Sequence, residues 1–300
     1  MTGRLFIFGL GFSGLEIAKL AKAAGWQVAG TCRTADKAAQ VHGQGFEAHL
    51  FDGTAALPAE AMGKASHVLC TIAPNGAEGG TTGDPALRTS ARLLRNARWL
   101  GYLSTTGVYG DQAGNWVDED TPARPRQPRS IERLATERAW QAMGIEAGAA
   151  VDIFRLPGIY GPGRSAIDQV KAGTARRIDK PGQVFSRIHV EDIAGTVLMA
   201  ITRSGAGQIY NVADDLPAAT TEVVAFACEL LGKPVPPAIP WDQVAPTLSP
   251  MARSFYAENR RVRNDRIKNE LGVVLRYPTY REGLRAIAAS SDRGPPGPHS

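Results

Sequence analysis

The sequence has few of the residues from which disulfide and metal sites are built. Its 300 residues include 3 cysteines and 5 histidines. Cys32, Cys70 and Cys228 lie far apart and form no Cys-x-x-Cys pair, which argues against a disulfide framework, and the scattered histidines argue against a zinc site. We therefore expect a reduced, cytoplasmic protein without a bound metal ion.

Long apolar runs are also missing. No run approaches the roughly 20 consecutive apolar residues of a membrane-spanning helix. The short apolar stretch 5–8 leads directly into glycines, without the cleavage-like site of a signal peptide. With 43% hydrophobic and 21% charged residues, the composition is typical of a globular chain with a buried core. We expect no association with a membrane.

The positive charge of the chain comes mainly from arginine. The formal net charge is +5 at pH 7. Arginines cluster twice, at Arg124, Arg126, Arg129, Arg133 and Arg138 and at Arg260, Arg261, Arg263 and Arg266. Guanidinium groups match phosphate oxygens, but acidic residues within both clusters favour solvated helix faces for most of them. No basic stripe interleaved with aromatic residues is present, so we expect no nucleic-acid partner.

Short apolar runs alternate with helical patterns through the first half of the chain. Strands are predicted at 4–8, 27–32, 46–50, 67–72, 99–104 and 151–156, and helices at 15–24, 35–41, 85–97 and 130–143. Strands this apolar are typical of a sheet that is covered on both faces. The alternation therefore predicts an α/β fold with a doubly wound parallel sheet.

The pattern changes after residue 156. A Gly/Pro-rich loop at 157–164 precedes a strand at 207–211 and a helix at 222–231. The proline-rich stretch 234–250 predicts an ordered loop or lid rather than a helix. Short helices are expected at 264–271 and 280–289, and residues 291–300 are expected to form a disordered tail.

A glycine-rich turn follows the first predicted strand and opens the first helix. It reads Gly9-Leu10-Gly11-Phe12-Ser13-Gly14. In this setting Gly9 permits the tight turn, Gly11 lets the backbone approach a pyrophosphate, and Gly14 allows close packing of helix and strand. The helix N-terminus, with Phe12 and Ser13, offers free N–H groups to the phosphates. The turn predicts a dinucleotide site.

The end of the second strand distinguishes the two nicotinamide dinucleotides. An NAD site usually has a carboxylate there for the ribose 2′-hydroxyl. This chain has Arg33, which can pair with a 2′-phosphate and favours NADP over NAD. Alternatively, Arg33 is a surface residue and Asp36, in the first turn of the next helix, holds the ribose.

Two further positions are candidate cofactor contacts. Asp52, just after the third strand, is a candidate partner for the adenine amino group, or else a turn residue before Gly53. Ala73 and Pro74 end the fourth strand, where the chain would pass close to the cofactor.

Several segments together resemble the extended branch of the short-chain dehydrogenase/reductase superfamily, the NAD-dependent epimerase/dehydratase family. They are 9–14, 103–111, 154–163, 187–194 and 209–212. The short glycine spacing resembles its atypical members. The resemblance implies a Rossmann domain at 1–160, to which 185–212 returns, and a smaller C-terminal α/β substrate-binding part at 161–184 and 213–290. A homodimer formed through a helix pair is also an expectation of the resemblance.

The chain departs from this family at the expected catalytic residues. Thr105 matches the family's serine or threonine, whereas no Tyr-x-x-x-Lys occurs anywhere in the chain. Aligned on Glu137, the tyrosine and lysine positions hold Arg129 and Arg133. A guanidinium cannot shuttle a proton near neutral pH. Arg133 is expected either to hold the nicotinamide ribose, as the family's lysine does, or to form a surface ion pair with Glu137.

Other residues are candidates for the missing acid. Tyr109 and Tyr160 each offer a phenol, although either fits equally well as a half-buried aromatic residue. His189 is better explained as a structural histidine. We expect Thr106, Tyr160 and Arg164 to contact the substrate.

Three functions are consistent with these features. The first is an NAD(P)-dependent oxidoreductase or epimerase that acts on a small hydroxylated or sugar-like substrate. The second is a non-catalytic NADP(H)-binding protein that reports redox state to a partner. The third is nucleotide-sugar binding without redox chemistry. The retained Ser104-Thr105-Thr106 segment favours the enzyme.

Overall fold

A computed structural model of the protein describes residues 3–75, 83–203 and 207–291. Its strands are β1 Arg4–Phe8, β2 Gln27–Cys32, β3 Glu47–Leu50, β4 His67–Cys70, β5 Trp99–Thr105, β6 Trp116–Val117, β7 Ala150–Leu156, β8 Gly158–Tyr160, β9 Arg177–Asp179, β10 Arg187–His189, β11 Ile209–Asn211, β12 Ala238–Pro240 and β13 Arg261–Val262. Its helices are α1 Phe12–Ala23, α2 Ala35–Gly43, α3 Ala59–Met62, α4 Pro85–Leu94, α5 Pro128–Ala147, α6 Ala166–Lys171, α7 Val190–Arg203, α8 Thr220–Leu230, α9 Trp241–Val244, α10 Pro250–Phe255, α11 Asp265–Asn269 and α12 Tyr280–Ser291. Residues 106–109 and 245–247 form 3₁₀ turns.

Seven parallel strands form the central sheet, in the order β11-β7-β5-β4-β1-β2-β3. The chain starts in the middle of the sheet at β1 and fills one side with β2 and β3 before it crosses to β4. This reversal of strand order leaves a crevice at the carboxyl ends of β1 and β4, where ligands of such sheets bind. The predicted α/β doubly wound sheet of Rossmann type is confirmed.

The sheet is covered on both faces, which explains its apolar strands. Trp99 and Phe154 pack on one face with the residues of α1 and α7, and Tyr102 and Trp140 pack on the other with α4 and α5. Alternate residues of β5 therefore enter different cores. This two-sided burial is the physical origin of the nearly continuous apolar runs in the sequence.

Smaller elements cover the carboxyl ends of the central strands. The short parallel pairs β8–β10, β9–β12 and β6–β13 lie outside the main sheet. A separate apolar cluster joins α6, α8 and α12, with Ile167, Val224 and Leu284 among its members. The division into a cofactor part and a substrate part stays a prediction, although β11 does pair with β7 in the central sheet.

Some expectations about local structure need correction. The predicted non-helical stretch 234–250 contains the helix Trp241–Val244 and a 3₁₀ turn, because its prolines stand at helix starts. The loop at 157–164 contains the strand Gly158–Tyr160, and the helix Val190–Arg203 was not predicted. Ser291 ends α12, and the rest of the expected tail, 292–300, lies outside the described residues. Among the described helices, none is long and apolar enough to cross a membrane.

Candidate active site

A cleft of 1040 Å³ lies at the carboxyl ends of β1, β4 and β5. Its floor includes the glycine turn and the ends of these strands, and α10 and the segment after it form part of its wall. Among the predicted site residues, the cleft brings together Gly11, Phe12, Ser13, Ala73, Pro74, Thr105, Thr106, Arg133 and Arg164.

The glycine turn is fixed between β1 and β2. The Gly9 N–H donates to Thr31 Oγ1 at 2.9 Å, and the Leu10 N–H donates to the Thr31 carbonyl at 2.7 Å. Gly9 has a φ of +97°, which only glycine adopts readily. A Cβ on Gly14 would lie 2.1 Å from the Gly9 carbonyl oxygen. The backbone conformation of Gly9 and the close packing at Gly14 therefore explain why these two positions are glycine, without reference to a ligand.

Gly11 has a different reason to be glycine. A Cβ built on it meets no atom within 4 Å, so the space in front of it is open to the cleft. Gly11 is the N-cap of α1, without a side-chain cap and without an acidic residue in the first turn. The free N–H groups and the positive end of the helix dipole therefore face open space, which fits the pyrophosphate of a dinucleotide.

The residues expected near the adenosine end lie on the surface beside this turn. Arg33 is exposed directly after β2, next to Thr34, which caps α2 by accepting a hydrogen bond from the Lys37 N–H. Asp36 is also exposed, in the first turn of α2. Both alternatives for the ribose stay open in this arrangement.

Asp52 is exposed and forms a local turn. Its carboxylate accepts hydrogen bonds from the Thr54 N–H at 2.9 Å and the Thr54 hydroxyl at 2.7 Å. These bonds lower the pKa of Asp52. The turn accounts for this aspartate without a ligand, so an adenine contact stays a prediction.

Thr105 ends β5 at the cleft. Its Oγ1 accepts a hydrogen bond from the Gly107 N–H at 3.1 Å and so caps the following 3₁₀ turn. This bond uses the oxygen as an acceptor and leaves the O–H able to donate to a ligand. The neighbouring Thr106 also lines the cleft but is 4% exposed.

A buried polar network lies behind Thr105. The Ser104 hydroxyl donates to Glu137 Oε1 at 2.5 Å, and Arg155 donates to both carboxylate oxygens of Glu137, at 3.1 and 2.8 Å. Burial disfavours the charged guanidinium, but its bonds to Glu137 outweigh this and raise the pKa of Arg155. A bidentate pair of this kind ties α5 to β7 and to β5.

Arg129 and Arg133 extend from the first turns of α5 toward the cleft, which both of them line. The Arg133 Nη1 donates to the hydroxyl of the buried Tyr102 at 2.9 Å. The guanidinium of Arg129 lies 4.4 Å from the centroid of the Phe255 ring. The ion pair expected between Arg133 and Glu137 is wrong, because Glu137 points into the core and pairs with Arg155.

The profile of the NAD dependent epimerase/dehydratase family matches residues 6–213, which contain the glycine turn, Thr105 and the central sheet except for the first two residues of β1. The chain belongs to this family. Its cofactor class is therefore a nicotinamide dinucleotide, which the open glycine turn fits.

Similar proteins extend over nearly the whole chain. Protein YeeZ of Escherichia coli (strain K12) is 28% identical over 286 residues, which cover 92% of this chain and 96% of YeeZ. A conserved protein of unknown function from Silicibacter pomeroyi DSS is 43% identical, with a TM-score of 0.86 over 97% of this chain and 100% of its own. A dTDP-glucose 4,6-dehydratase from Streptomyces venezuelae, solved with NAD, shares the fold at 16% identity and a TM-score of 0.77, over 97% of each chain.

The tyrosines nominated to replace the family's phenol lie outside the cleft. Tyr109 is completely buried, and its hydroxyl donates to Asn211 Oδ1 at 2.8 Å, while burial raises its pKa. Tyr160 lines a second cavity of 570 Å³, bounded by α6, α8 and α12, which we call the inner cavity. Its hydroxyl lies 3.5 Å from the Thr279 carbonyl. His189 is buried between Tyr160 and Tyr277, with a pKa lowered to about 4 by desolvation.

The cleft does contain a phenol that the sequence analysis missed. All seven tyrosines of the chain lie within the described residues, and Tyr256 is the one among them that lines the cleft. Its ring packs against Phe185 at 5.2 Å and Trp241 at 4.8 Å. Because Tyr256 follows a proline-rich stretch with no family motif, no signal in the sequence distinguished it.

The cleft wall carries more positive than negative charge. Arginines at 129, 133, 164, 187 and 260 line it, against glutamates at 132 and 258. Arg260 is neutralised by Glu258 at 2.7 Å. The remaining excess of guanidinium groups favours a negatively charged ligand.

Proposed function

We propose that the protein is an NADP-dependent oxidoreductase that acts on an anionic, hydroxylated or sugar-like substrate. The observation that carries this proposal is the joint position of Gly11, Thr105 and Tyr256 around one cleft. The turn would bind the cofactor pyrophosphate, Thr105 would hold the reacting oxygen, and Tyr256 would exchange the proton. The carbohydrate substrate named for the Streptomyces venezuelae dehydratase supports the sugar-like class.

The choice of NADP rests on the end of β2. Arg33 is exposed there, and a guanidinium pairs with a phosphate in two-point geometry. The N-terminus of α2 lies directly beside it and adds a positive dipole end. Asp36 is the competing residue, and its carboxylate would instead favour the free 2′-hydroxyl of NAD.

The chemistry of the cleft follows from the donors that line it. The bound nicotinamide supplies or accepts a hydride. Thr105 donates a hydrogen bond to the oxygen at the reacting carbon, and the guanidinium groups of Arg129 and Arg133 stabilise the negative charge that develops there. Arg133 also has the position from which the nicotinamide ribose is held in this family.

A proton must still move, and neither arginine can carry it. The phenol of Tyr256 can donate or accept a proton. Tyr256 directly follows Phe255, and the ring of Phe255 contacts Arg129. Arg129 is the residue that aligns with the family's phenol. This proximity favours Tyr256 over Tyr109 and Tyr160.

The test begins with fluorescence titrations of the protein with NADPH and NADH at fixed salt. Tighter binding of NADPH supports the cofactor assignment, and failure to bind either dinucleotide overturns the whole proposal. A panel of keto sugars and their phosphates is then screened by absorbance of the reduced nicotinamide. On the best substrate, Tyr256→Phe and Thr105→Val should each lower kcat at least about 100-fold without weakening NADPH binding.

Tyr109→Phe is the matched control for Tyr256→Phe. Each variant removes one phenolic hydroxyl, but only Tyr256 lines the cleft. Tyr109→Phe should lower the melting temperature, because it leaves Asn211 Oδ1 without its donor, and should retain kcat. Equal turnover of Tyr256→Phe and the wild type would rule out Tyr256 as the proton carrier.

Non-catalytic sensing of NADP(H) is the second candidate function, and the pair Arg129 and Arg133 favours it. Both positions that carry the family's proton chemistry hold groups that stay protonated. On this alternative NADPH binds tightly, no substrate of the panel is turned over, and Tyr256→Phe changes nothing that is measured.

A further inference from the structure

The inner cavity is lined by donor groups that have no anionic partner in contact among the described residues. It adjoins the cleft, since Gly158, Ile159, Arg164 and Arg187 line both spaces. Its volume of 570 Å³ is large enough for a small organic group. Three of its features point independently to a negatively charged ligand.

The first feature is Arg187, which lies at the junction of the two spaces. Its Nη1 donates to the carbonyls of Phe185 and Ala218, at 2.8 and 2.9 Å. No carboxylate of the described residues lies within 4 Å of this guanidinium, and burial lowers the pKa of Arg187. Asp214 attracts this guanidinium from beyond that distance. The desolvated cation thus has no carboxylate in direct contact among the described residues, and an anion that enters the cavity would stabilise it.

The second feature is the start of α8, directly beside Arg187. The N-cap is Ala219, which has no side chain able to accept from the first N–H groups. The first helical residue, Thr220, lines both the cleft and the inner cavity. The first turn also carries Glu222, whose side chain is exposed. The uncapped helix of 11 residues presents free N–H donors at this junction.

The third feature is the hydroxyl of Tyr280 in α12. Tyr280 is 1% exposed and lines the inner cavity, and its hydroxyl has no hydrogen-bond partner among the described residues. A buried hydroxyl without a partner destabilises the folded protein. Such a cost is typical of a group that is kept for a ligand.

The other residues that line the inner cavity indicate which chemical groups could bind beside the anion. Ile159, Val223, Val224 and Leu284 provide an apolar side. Arg164 adds a second cation, exposed and stacked over Phe12 at 5.5 Å. Asp168 is the acid that lines the cavity, and its carboxylate accepts a hydrogen bond from the Ser165 hydroxyl at 2.5 Å. Positive groups thus outnumber negative ones around an otherwise apolar space.

From these features we infer that the inner cavity is a second ligand subsite, which binds an oxyanion group through Arg187, the N-terminus of α8 and the Tyr280 hydroxyl. The oxyanion is a phosphate or a carboxylate, since both offer oxygens to the same donors. Assigning it to the far end of the substrate rests on the proposed function. The affinity of the cavity for anions does not, and it can be measured without turnover.

The experiment is a thermal-shift titration of the full chain with sodium phosphate and, separately, with sodium malonate. Sodium chloride of equal ionic strength is the reference, and each titration is run with and without saturating NADPH. An anion that binds the native state raises Tm in proportion to its occupancy. We expect a saturable shift in phosphate or malonate that persists with NADPH, and the stronger of the two identifies the oxyanion. A shift in neither overturns the subsite.

Variants locate the binding. Arg187→Gln should weaken the anion at least about 10-fold, whereas Arg187→Lys should retain part of the affinity. Arg176→Gln is the matched control, because it removes the same charge from an exposed arginine outside both cavities and should leave the shift unchanged. An equal loss of anion affinity in Arg187→Gln and Arg176→Gln would show that the anion responds only to the net charge of the protein. That result would overturn the site.

Tyr280→Phe distinguishes a ligand contact from a structural role. This test remains informative even if the Arg187 variants fail to fold. Removing an unpartnered hydroxyl should raise Tm in chloride, while the apparent affinity for the anion falls about 3- to 10-fold. A fall in Tm with unchanged affinity would contradict the assignment. If NADPH fails to bind while the anion shift remains, the proposed function fails and the subsite stands.

Discussion

The guanidinium of Arg129 lies 4.4 Å from the centroid of the Phe255 ring and so joins the first turn of α5 to the end of α10. Arg129 is the residue that we align with the family's catalytic phenol, and Phe255 lines the cleft. Phe255 is 54% exposed, so this contact supplies little of the stability of the fold. Both residues line the cleft, which links the contact instead to ligand binding.

Phe255→Leu should weaken the contact between Arg129 and Phe255 with little effect on folding. The leucine keeps an apolar side chain but loses the ring over which the guanidinium stacks, worth about 0.5–1 kcal/mol at an exposed site. We expect the Kd for NADPH to rise about 2- to 5-fold and Tm to change by less than about 2 °C. Trp116→Leu is the control, since it removes a similar exposed contact, with Arg263 at 5.3 Å, away from both cavities. Equal effects of the two substitutions on NADPH binding would contradict a role at the cleft.

Gly11→Val should abolish cofactor binding and leave the fold intact. The Cβ at this position meets no protein atom, so the valine extends into the space where the pyrophosphate would lie. We expect NADPH binding to weaken at least about 100-fold, with an unchanged circular dichroism spectrum. Gly14→Ala provides the contrast, because its Cβ would collide with the Gly9 carbonyl and should lower Tm. Unaltered affinity in Gly11→Val would show that the turn does not bind the dinucleotide.

Arg33→Asp should reverse the cofactor preference. The aspartate repels a 2′-phosphate and can accept a hydrogen bond from a free 2′-hydroxyl, so the ratio of the Kd values for NADPH and NADH should rise at least about 10-fold. Asp36→Asn tests the competing residue in the same titrations. An unchanged ratio in Arg33→Asp, together with a loss of NADH binding in Asp36→Asn, would assign the ribose to Asp36.

The glycine turn and the sheet could be predicted because their causes are local. Strand burial on both faces leaves continuous apolar runs, and the turn needs glycines at fixed spacing. The helix 190–203 was missed because its first residues read as the end of a motif. Tyr256 and Tyr280 reach their cavities only through the packing of α10 and α12, and their local sequence carries no trace of it. The partner of Glu137 was missed for the same reason, since Arg155 lies on a different strand.

Asp214 should make stability fall as pH rises toward 8. Its carboxyl is 1% exposed, and Oδ2 has no hydrogen-bond partner among the described residues. Desolvation, with repulsion from Asp215 and Asp192, raises the pKa from 3.8 to about 8, and the attraction of Arg187 offsets only part of this. Between these two values the unfolded chain has released the proton that the native state still holds. The free energy of unfolding therefore decreases with pH across that window, and this contribution is constant below and above it.

Asp214→Asn removes this titration without a large change in shape. The variant should have a flatter dependence of Tm on pH from 5 to 8, and at pH 8 it should exceed the wild type by at least about 2–4 °C, the equivalent of roughly 1 kcal/mol in a chain of this size. Its gain should shrink as the pH falls toward and below 3.8, where the unfolded wild type also binds the proton. Asp265→Asn removes an exposed carboxyl that lies 3.9 Å from Arg263 and takes no part in the shift at Asp214, so this control should keep the slope of the wild type. Parallel pH profiles for Asp214→Asn and the wild type would show that the buried carboxyl does not titrate in this window.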